Sequence, residues 1–404
     1  MGGPLEGIRV VDCGHWQVGG VAGVMLGDLG ADVIKIEDRV HGDPIRGFTA
    51  IFSATSRVSG RNYMFEHCDR NKRGITLDLQ KEKGREIVTK LVEKSDVFFH
   101  NWRQGVAEKL GLDYATLSQN NPRLVYGVGS GWGPEGPEAK DPAMDFAALG
   151  RAGTMYLAGD ADMPPLMFMS GIADQMGGIM LVQGILAALV DRERNGIGQK
   201  VDVSLLGSMI SLEGAVLDAR LILGVEMPRR SRSKMGNPLW NFYWCGDDKW
   251  IILGALQADR YWSAFCEVIG IQDLEHDSRF ENMGVRSQEG NSIELISILD
   301  TVFATKPRDE WIELLRGAGI ICGRVQTVSE VIEDQQVLAN DYIVDFDHPE
   351  WGPIKMVGFP YKFSRTPASM RRAAPEFGQH TEEVLLELGY TWDSIGGLRE
   401  QEII

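Results

Sequence analysis

One aspartate of this sequence stands where a carboxylate could act as a nucleophile. Asp174 begins the most apolar stretch of the chain, with Gly171 before it and Gly177 and Gly178 after it. Beside the free N–H groups of a helix start, a carboxylate would stay ionised and could attack a carbonyl carbon. The glycines would leave room for a bulky group near the backbone. A helix cap would suit the same residue, and its position alone favours the cap.

Other known kinds of site find little support. The turn after the first predicted strand, residues 13–20, does not match GxGxxG, although Glu37 and Asp38 end the second predicted strand where a ribose-binding acid would lie. The glycine-rich stretch 127–133 runs into Pro134 and opens no helix, which argues against a dinucleotide site. Walker A, HExxH and GxSxG motifs are absent. The seven histidines lack metal-ligand spacing, so we expect no metal.

Composition places the chain among globular proteins. Its 404 residues are 44% hydrophobic and 24% charged, which excludes a disordered, collagen-like or disulfide-scaffold protein. The net charge of −16 argues against nucleic-acid binding. Five scattered cysteines without a CxxC pair favour reduced thiols in a cytoplasmic protein. The longest apolar run, 177–190, is shorter than the roughly 20 residues of a membrane span, so we expect a core helix and no membrane association.

Strand-like and helix-like segments alternate along the first part of the chain. The predicted strands are 8–12, 31–37, 96–100, 123–128 and 201–205. The predicted helices are 18–29, 81–94, 174–194 and 208–223. Such alternation predicts a parallel sheet with helices on both faces. We therefore predict an α/β fold whose large domain holds a Rossmann-like, doubly wound parallel sheet.

The character of the sequence changes after residue 224. The predicted elements there are a hairpin at 236–253 with its turn at 246–249, helices at 260–270 and 308–318, an extended piece at 342–363 and a last helix at 381–389. The predicted divisions of the chain are a large domain at 1–224, a smaller α+β domain at 225–325 and a C-terminal segment, 326–404, that returns to the large domain.

Two basic clusters stand out in this acidic chain. They are Arg229, Arg230, Arg232 and Lys234, and Arg70, Lys72 and Arg73. Such clusters are more often solvated faces than binding sites. An anionic small ligand would nevertheless need local positive charge in a chain of net charge −16, and a phosphate-bearing ligand fits that requirement. The residues leave both interpretations open.

Short blocks of sequence along nearly the whole chain carry a family resemblance. They are PLEGIRVVD (4–12), GADVIKIE (30–37), GDP (42–44), NKRGITLDL (71–79), SDVFFHN (95–101), GILAALVDRERNGIGQKVDVSLL (184–206), GIICGRVQTVSEVIEDQQV (319–337), HPEWGPIKMVGFP (348–360) and GQHTEEVLLELGY (378–390). In these blocks and their order, the sequence resembles the class III (family III) CoA-transferases, which include the formyl-CoA:oxalate, carnitine and benzylsuccinate CoA-transferases. Alpha-methylacyl-CoA racemase is a relative of that family.

The resemblance assigns roles to individual residues. The family nucleophile is an Asp shortly before the GILAAL helix, and Asp174 holds that position, so the resemblance favours the nucleophile over the cap. A family Arg falls on Asp38 here, and we expect the neighbouring Arg39 to replace it. The other implied contacts with CoA are His15, Trp16, Gln17, Val18, Leu77, Asp78, Gln80, Asn101, Trp102, Arg103 and Lys109. CoA and acyl-CoA would be substrates, and no permanently bound cofactor is implied.

The implied reaction moves CoA from an acyl-CoA donor to a free carboxylic acid. Asp174 would attack the thioester carbonyl to give an aspartyl–acyl anhydride, and the released CoA thiolate would convert it to an aspartyl-CoA thioester. The acceptor carboxylate would then attack that thioester. Oxyanions formed on the way need N–H donors. The candidates are the backbone near Gly177 and Gly178, or the loop 234–241 of the small domain.

Two alternatives belong to other classes of function. Racemisation needs an acid and a base on opposite sides of the α-carbon. The histidine that pairs with Asp in the racemase branch falls on Met144, which cannot transfer protons. A non-catalytic subunit that only binds acyl-CoA is the other alternative. The presence of Asp174 speaks against it, although a helix cap would also explain an Asp at that position.

Assembly and substrates are less directly indicated. The family's dimers are interlocked, so the resemblance implies an obligate dimer, either a homodimer or a heteromer with a related subunit. Aromatic residues in loops expected near the cleft would suit an aromatic or bulky acid, for example benzylsuccinate with succinyl-CoA as donor. They are Trp16, Trp102, Trp132, Trp240, Phe242, Tyr243 and Trp244. We expect at least half of those at 240–244 to be hairpin core.

Overall fold

The computed structural model describes residues 2–51, 54–168, 171–229 and 231–404. The chain divides into two compact units. The larger unit comprises Met1–Met155, Met167–Val225 and Tyr342–Ile404, and the smaller unit comprises Tyr156–Leu166 and Glu226–Asp341. The smaller unit contains nearly all of the predicted small domain, 225–325, together with 156–166 and with 326–341, the first part of the segment that was predicted to return to the large domain.

The elements of regular structure are as follows. The strands are β1 (Arg9–Cys13), β2 (Asp32–Asp38), β3 (Ala50–Ile51), β4 (Ala54–Thr55), β5 (Arg57–Val58), β6 (Arg61–Asn62), β7 (Lys72–Leu77), β8 (Val97–His100), β9 (Val125–Ser130), β10 (Lys200–Ser204), β11 (Phe242–Trp244), β12 (Trp250–Leu253), β13 (Cys322–Val325), β14 (Ile343–His348) and β15 (Gly352–Val357). The α-helices are α1 (Trp16–Asp28), α2 (Pro44–Gly47), α3 (Tyr63–Asp69), α4 (Glu82–Glu93), α5 (Val106–Leu110), α6 (Tyr114–Asn120), α7 (Asp145–Ala152), α8 (Thr154–Leu157), α9 (Ile172–Asn195), α10 (Leu205–Leu212), α11 (Gly214–Leu223), α12 (Ala258–Ile269), α13 (Met283–Arg286), α14 (Glu289–Phe303), α15 (Arg308–Gly317), α16 (Val328–Glu333), α17 (Gln335–Ala339), α18 (Thr381–Glu387) and α19 (Trp392–Glu400). Short 3₁₀ turns lie at Arg232–Lys234 and Gln272–Leu274.

A six-stranded sheet forms the centre of the larger unit. Its strand order is β10-β9-β8-β1-β2-β7, and every neighbouring pair is parallel. The predicted α/β fold is therefore confirmed, and the five predicted strands of this unit are present with ends shifted by one or two residues. The sixth strand, β7, was not predicted, because it begins with Lys72 and Arg73, two cations that are here buried.

Both faces of this sheet are covered. Successive strand residues point to opposite faces, and here they enter different cores: Val11 and Phe98 lie in one, Val10 and Phe99 in the other. The helices that fill the first core are α4, α6, α18 and α19, and those that fill the second are α1 and α9. With both faces covered, the apolar residues of a strand such as β8 can be consecutive in the sequence.

The long apolar helix α9 packs against the sheet and α1. By length and hydropathy it could cross a membrane, but Leu181, Val182 and Ile185 are buried in the core beside β9 and β10. Its glycines permit this packing: a Cβ at Gly178 would lie 2.7 Å from Val21 Cγ1. One face of the helix is thus part of the core, as predicted from the shortness of its apolar run, 177–190.

A cluster of five charged side chains is buried between the sheet, α1 and α3. Lys72 Nζ lies 2.8 Å from both Asp12 Oδ2 and Asp69 Oδ1, and Lys35 Nζ lies 2.8 Å from Asp43 Oδ2. All five side chains are fully buried. Burial alone would lower the pKa of Lys72, but Asp12 and Asp69 outweigh burial and raise the pKa above its ordinary value. Lys72 therefore remains ionised at neutral pH.

The smaller unit has its own core. Strands β11, β12 and β13 form an antiparallel sheet, and its residues Tyr243 and Ile251 pack with Phe265, Phe303 and Trp311 from the helices α12, α14 and α15. The predicted hairpin is present, with its turn between Trp244 and Trp250. Both predicted helices of this region are also present.

Three local predictions were wrong. The helix expected at 208–223 is two helices, α10 and α11, separated at Glu213, and α19 was not expected at all. Of the aromatic residues at 240–244, only Tyr243 is buried, so the expectation that at least half are core fails. Trp240, Phe242 and Trp244 are exposed. Within β11, side chains alternate between the two faces, so Phe242 and Trp244 point away from the core that Tyr243 enters.

Candidate functional site

The implied CoA contacts gather at one edge of the large sheet. They follow the C-terminal ends of four adjacent strands, β8, β1, β2 and β7. Asp38 and Leu77 end β2 and β7 and are register partners, and Cys13 and His100 are register partners at the ends of β1 and β8. We call this the carboxyl edge. Ligands of open parallel sheets bind outside the carboxyl ends of the strands.

The loops after β1 and β8 are tied together. Asn101 Oδ1 accepts a hydrogen bond of 2.8 Å from the His15 N–H, and Asn101 Nδ2 donates one of 2.8 Å to the His15 carbonyl. Burial lowers the pKa of His15, and Lys35 lowers it further, so the imidazole is neutral at pH 7. Two of the implied contacts thus hold each other in place.

The first turn of α1 presents Trp16, Gln17 and Val18. Trp16 is exposed and has a φ of +57°, a conformation that non-glycine residues rarely adopt. The buried charge cluster fixes this turn, since Lys35 Nζ donates to the Gly14 carbonyl (3.0 Å) and Asp43 Oδ1 accepts from the Trp16 N–H (3.4 Å). Val18 is buried, so at that position only the backbone is available to a ligand.

Asp174 lies at the start of α9, next to the first turn of α1. A Cβ at Gly177 would lie 3.0 Å from Val18 Cγ2, and one at Gly171 would lie 2.1 Å from Gln17 Oε1. Gly171 also has a φ of +65°, which favours glycine. The amide oxygen of Gln17 is buried without a hydrogen-bond partner among the described residues. The structure therefore brings Asp174 to the implied CoA contacts at the start of α1.

The capping interpretation of Asp174 is wrong. The N-cap position of α9 is Gly171, and Asp174 is the third residue of the helix. The carboxylate that accepts hydrogen bonds from the helix start is that of Asp145, whose Oδ1 lies 2.7 Å from the Ala173 N and 3.1 Å from the Asp174 N. In the described part of the chain, the Asp174 carboxylate takes part in no hydrogen bond or ion pair, and it is left free to react.

The protonation of Asp174 differs from the ionised state predicted from the sequence. We expected the helix start to keep it ionised, but burial raises its pKa to about 7, and the negative charge of Asp145 contributes to the increase. The N–H groups that would have stabilised its charge are bonded to Asp145 instead. Near neutral pH, a substantial fraction of Asp174 is therefore protonated and cannot attack a carbonyl.

The pH dependence of activity should report this proton. We expect the rate of CoA transfer to rise with pH through a limb near pH 7, as Asp174 ionises. Asp145→Asn keeps an oxygen to accept from the helix N–H groups but removes the charge, so the limb should move to lower pH by about half to one pH unit. A pH–rate profile of kcat/KM tests this. An unmoved limb in Asp145→Asn would contradict it.

The same proton should affect stability. Unfolding lowers the pKa of Asp174 from about 7 to about 4, so its contribution to stability is present below pH 4 and is lost as pH rises to 7. Asp174→Asn has no such loss. We expect this variant to exceed the wild type in free energy of unfolding by about 2–4 kcal/mol at pH 8 and by almost nothing at pH 4. Urea unfolding of the wild type and of Asp174→Asn at both pH values tests this. Equal free energies of unfolding at pH 8 would contradict it.

The glycines of α9 cannot be the oxyanion donors. Gly177 and Gly178 are the sixth and seventh residues of the helix, beyond the four N–H groups that a helix leaves free. Both are buried against side chains of α1 and α10. The other candidate loop, 234–241, belongs to the smaller unit and stays a prediction.

The remaining implied contacts have different surroundings. Asp38, at the family Arg position, closes a local turn by accepting from the Val40 and His41 N–H groups. Leu77 is buried in the core, so only its backbone reaches the edge. Gln80 and Lys109 are exposed, and Lys109 lies on α5. Arg39 lies 3.3 Å from a carboxylate oxygen of Glu402.

A cavity of about 290 Å³ opens beside the loop that follows β8. Trp102 and Arg103 line it together with Tyr114 and Tyr126. Trp102 is stacked on His100 with 4.7 Å between ring centroids. An aromatic floor with a cation at its rim can accept a flat or anionic group of a ligand.

Most of the described cations in the two basic clusters bind other groups of the protein. Arg70 pairs with Asp28, Lys72 belongs to the buried charge cluster, and Arg73 pairs with Asp32 and Glu387. In the other cluster, Arg232 forms a bidentate pair with Asp300, at 2.8 and 2.7 Å. Arg229 donates to the Met163 carbonyl, Lys234 lines a cavity of the smaller unit, and Arg230 lies outside the described residues. Most of these cations therefore serve the fold.

Sequence reasoning missed Asp145 and the buried charge cluster. Asp145 caps a helix that begins 27 residues later, and capping patterns are recognisable only within a few residues. Lys35 lies in the block GADVIKIE and Asp43 in the block GDP. Charged residues in a sequence normally indicate exposed positions, and only the ion pair between these two side chains explains their burial. The GDP block has a structural explanation, since Gly42 has a φ of +64° and Asp43 caps α2.

The chain is similar to known proteins along nearly its whole length. The family model described as CoA-transferase family III matches residues 5–381. The chain is 31% identical to the (R)-2-hydroxy-4-methylpentanoate CoA-transferase of Clostridioides difficile, over 99% of both chains. It is also 31% identical to the cinnamoyl-CoA:phenyllactate CoA-transferase of Clostridium sporogenes, over 99% of this chain and 97% of the relative. The crystal structure of a CAIB/BAIF family protein from Brucella suis superposes with a TM-score of 0.82 at 29% identity, over 96% of this chain and all of that one.

Proposed function

The chain belongs to CoA-transferase family III, and on that basis we propose that it transfers CoA between two carboxylic acids by covalent catalysis at Asp174. Its substrates as a CoA-transferase are an acyl-CoA and a free acid. The observation that carries the proposal is the state of Asp174. Its carboxylate lies beside the carboxyl edge, unpaired among the described residues, while Asp145 serves as the cap.

The reaction proceeds through four acyl transfers. Ionised Asp174 attacks the thioester carbonyl of the donor, the C–S bond breaks, and CoA thiolate leaves an aspartyl–acyl anhydride. The thiolate attacks the aspartyl carbonyl, which releases the donor acid and forms aspartyl-CoA thioester. The acceptor carboxylate displaces the thiolate to form a second anhydride. The thiolate then attacks the acceptor's carbonyl, giving the new acyl-CoA and free Asp174, with no net change in protons.

The carboxyl edge holds CoA in this proposal. The N-terminus of α1 offers the positive end of a helix dipole to phosphate or to the thioester oxygen. Trp16 and Trp102 offer aromatic faces. Arg39, which follows β2, supplies a cation for the phosphates in place of the family Arg at position 38. The larger unit would thus be the CoA-binding domain.

Substrates, assembly and location complete the proposal. The exposed aromatics Trp240, Phe242 and Trp244 favour a bulky or aromatic acceptor, such as benzylsuccinate with succinyl-CoA as donor. A relative acts on cinnamoyl-CoA and phenyllactate by its name, which supports aromatic acids.

We further propose an interlocked dimer, of identical chains or with a related subunit, in the cytoplasm. The free state of all five cysteines supports a reducing compartment.

A substrate panel tests the activity. Purified protein is mixed with succinyl-CoA, cinnamoyl-CoA or acetyl-CoA and with benzylsuccinate, phenyllactate or oxalate, in heavy water, and the CoA esters are analysed by mass spectrometry. We expect a new acyl-CoA for at least one pair, without deuterium at its α-carbon. Rapid deuterium exchange at the α-carbon without CoA transfer would instead indicate a racemase. We do not expect this result, because Met144 stands at the position of the racemase histidine and cannot transfer protons.

A further inference from the structure

The last four residues of the chain lie at the carboxyl edge. Ile403 is buried in the core that contains Leu77, and its carbonyl accepts a hydrogen bond of 2.8 Å from the Asp78 N–H. The helix α19 ends just before, and the Ile403 N–H bonds back to the Leu398 carbonyl. The tail is therefore fixed against the end of β7, among the implied CoA contacts.

Glu402 faces two cations there. Its Oε1 lies 3.3 Å from Arg39 Nη2, and its Oε2 lies 3.8 Å from Lys81 Nζ. Lys81 also donates to the Gln401 and Glu402 carbonyls, at 2.9 and 3.0 Å. Glu402 has a φ of +54°, although it is not glycine, so the backbone that directs its side chain to this place is strained.

The pairing leaves Arg39 incompletely satisfied. Its Nε is buried and has no hydrogen-bond partner among the described residues, and the Glu402 side chain is 66% exposed. Exposed carboxylates bind such cations only weakly, whereas phosphate oxygens accept charge-assisted bonds from the whole guanidinium fork. A phosphate group of CoA would therefore be able to displace Glu402 from Arg39.

We propose that Glu402 is an internal counter-ion that competes with the phosphate groups of CoA for Arg39 and Lys81. The inference rests on the proposed CoA site. When CoA binds, its phosphates take over the two cations and the Glu402 carboxylate turns to solvent. Breaking the pairing of Glu402 with the two cations costs free energy, which lowers the affinity for CoA. The affinity for every acyl-CoA falls by the same factor, because the contact is remote from the acyl group. A transferase that must release its product acyl-CoA gains a faster release from this arrangement.

Removing the charge of Glu402 tests the inference. Glu402→Gln should lower the dissociation constant of CoA about three- to tenfold at low salt, and the gain should shrink at high salt. Glu400→Gln is the matched control, since Glu400 is an exposed glutamate at the end of α19. Isothermal titration with CoA and with 3′-dephospho-CoA shows which phosphate competes with Glu402. If Glu402→Gln improves the affinity for 3′-dephospho-CoA less than that for CoA, the competing group is the 3′-phosphate. If both affinities improve equally, it is the pyrophosphate.

A second substitution makes the test specific. In an Arg39→Gln, Lys81→Gln background, Glu402→Gln should no longer change the dissociation constant, because the cations for which it competes are gone. An affinity of Glu402→Gln equal to that of Glu400→Gln, or weaker, would overturn the inference while leaving the CoA site in place. Failure of the wild type to bind CoA at all would instead overturn the proposed function together with this inference.

Discussion

Replacing Asp174 with asparagine should lower the rate of CoA transfer by about 10⁴-fold or more. Asparagine is nearly isosteric but cannot attack a thioester, so neither the anhydride nor the aspartyl-CoA intermediate can form. The dissociation constant for CoA should stay within about twofold, since Asp174 acts on the acyl carbon and not on the phosphates. Steady-state transfer and titration with CoA measure the two effects separately.

Asp145→Ala provides the contrast for Asp174. Its side chain caps α9, so its loss should cost about 1 kcal/mol of stability and only part of the activity. If Asp174→Asn lost folding and CoA binding together while Asp145→Ala remained stable, Asp174 would be the structural residue and the proposed chemistry would be wrong.

Lys72→Met should lower the free energy of unfolding by about 3–5 kcal/mol. The ammonium group is fully buried between Asp12 and Asp69, and its removal leaves two buried carboxylates short of a counter-ion. Oδ2 of Asp69 already lacks a hydrogen-bond partner within the described residues. Chemical denaturation, followed by tryptophan fluorescence and circular dichroism, measures the loss.

An exposed pair is the control for Lys72. Arg123 pairs with Glu193 at 2.8 Å on the surface, and Arg123→Met should change stability by no more than about 1 kcal/mol. Adding Asp12→Asn to Lys72→Met should recover part of the loss, because it removes one of the unpaired charges. A Lys72→Met variant as stable as Arg123→Met would show that the buried charge cluster does not stabilise the fold.

The helices and strands could be predicted from the sequence where the pattern of apolar residues matches the observed elements. Strands β1, β2, β8 and β9 each place apolar residues in both cores and were predicted close to their observed limits. The strand β7 was not, because Lys72 and Arg73 have the composition of a surface and only distant carboxylates make their burial possible. The break between α10 and α11 at Glu213 lies directly before Gly214, but an isolated glycine is tolerated within a helical pattern and does not by itself end a helix.

The residues of the candidate site could be proposed from the sequence, whereas their electrostatic surroundings could not. Family blocks identified Asp174 and the residues that follow β1, β2, β7 and β8, which parallel topology brings to one edge. The raised pKa of Asp174 depends first on its burial and then on the charge of Asp145, and the surroundings of Arg39 include Glu402. Both partners are far away in the sequence, and their contacts become known only once the chain has folded.

Trapping the aspartyl intermediate tests the central claim most directly. The protein is mixed with a donor acyl-CoA, quenched with hydroxylamine, digested and analysed by peptide mass spectrometry, with Asp174→Asn in parallel. We predict a hydroxamate on the peptide that contains Asp174, formed by cleavage of the aspartyl-CoA thioester, and none in the variant. Sustained CoA transfer with that peptide unlabelled, or with the label on another residue, would contradict the account.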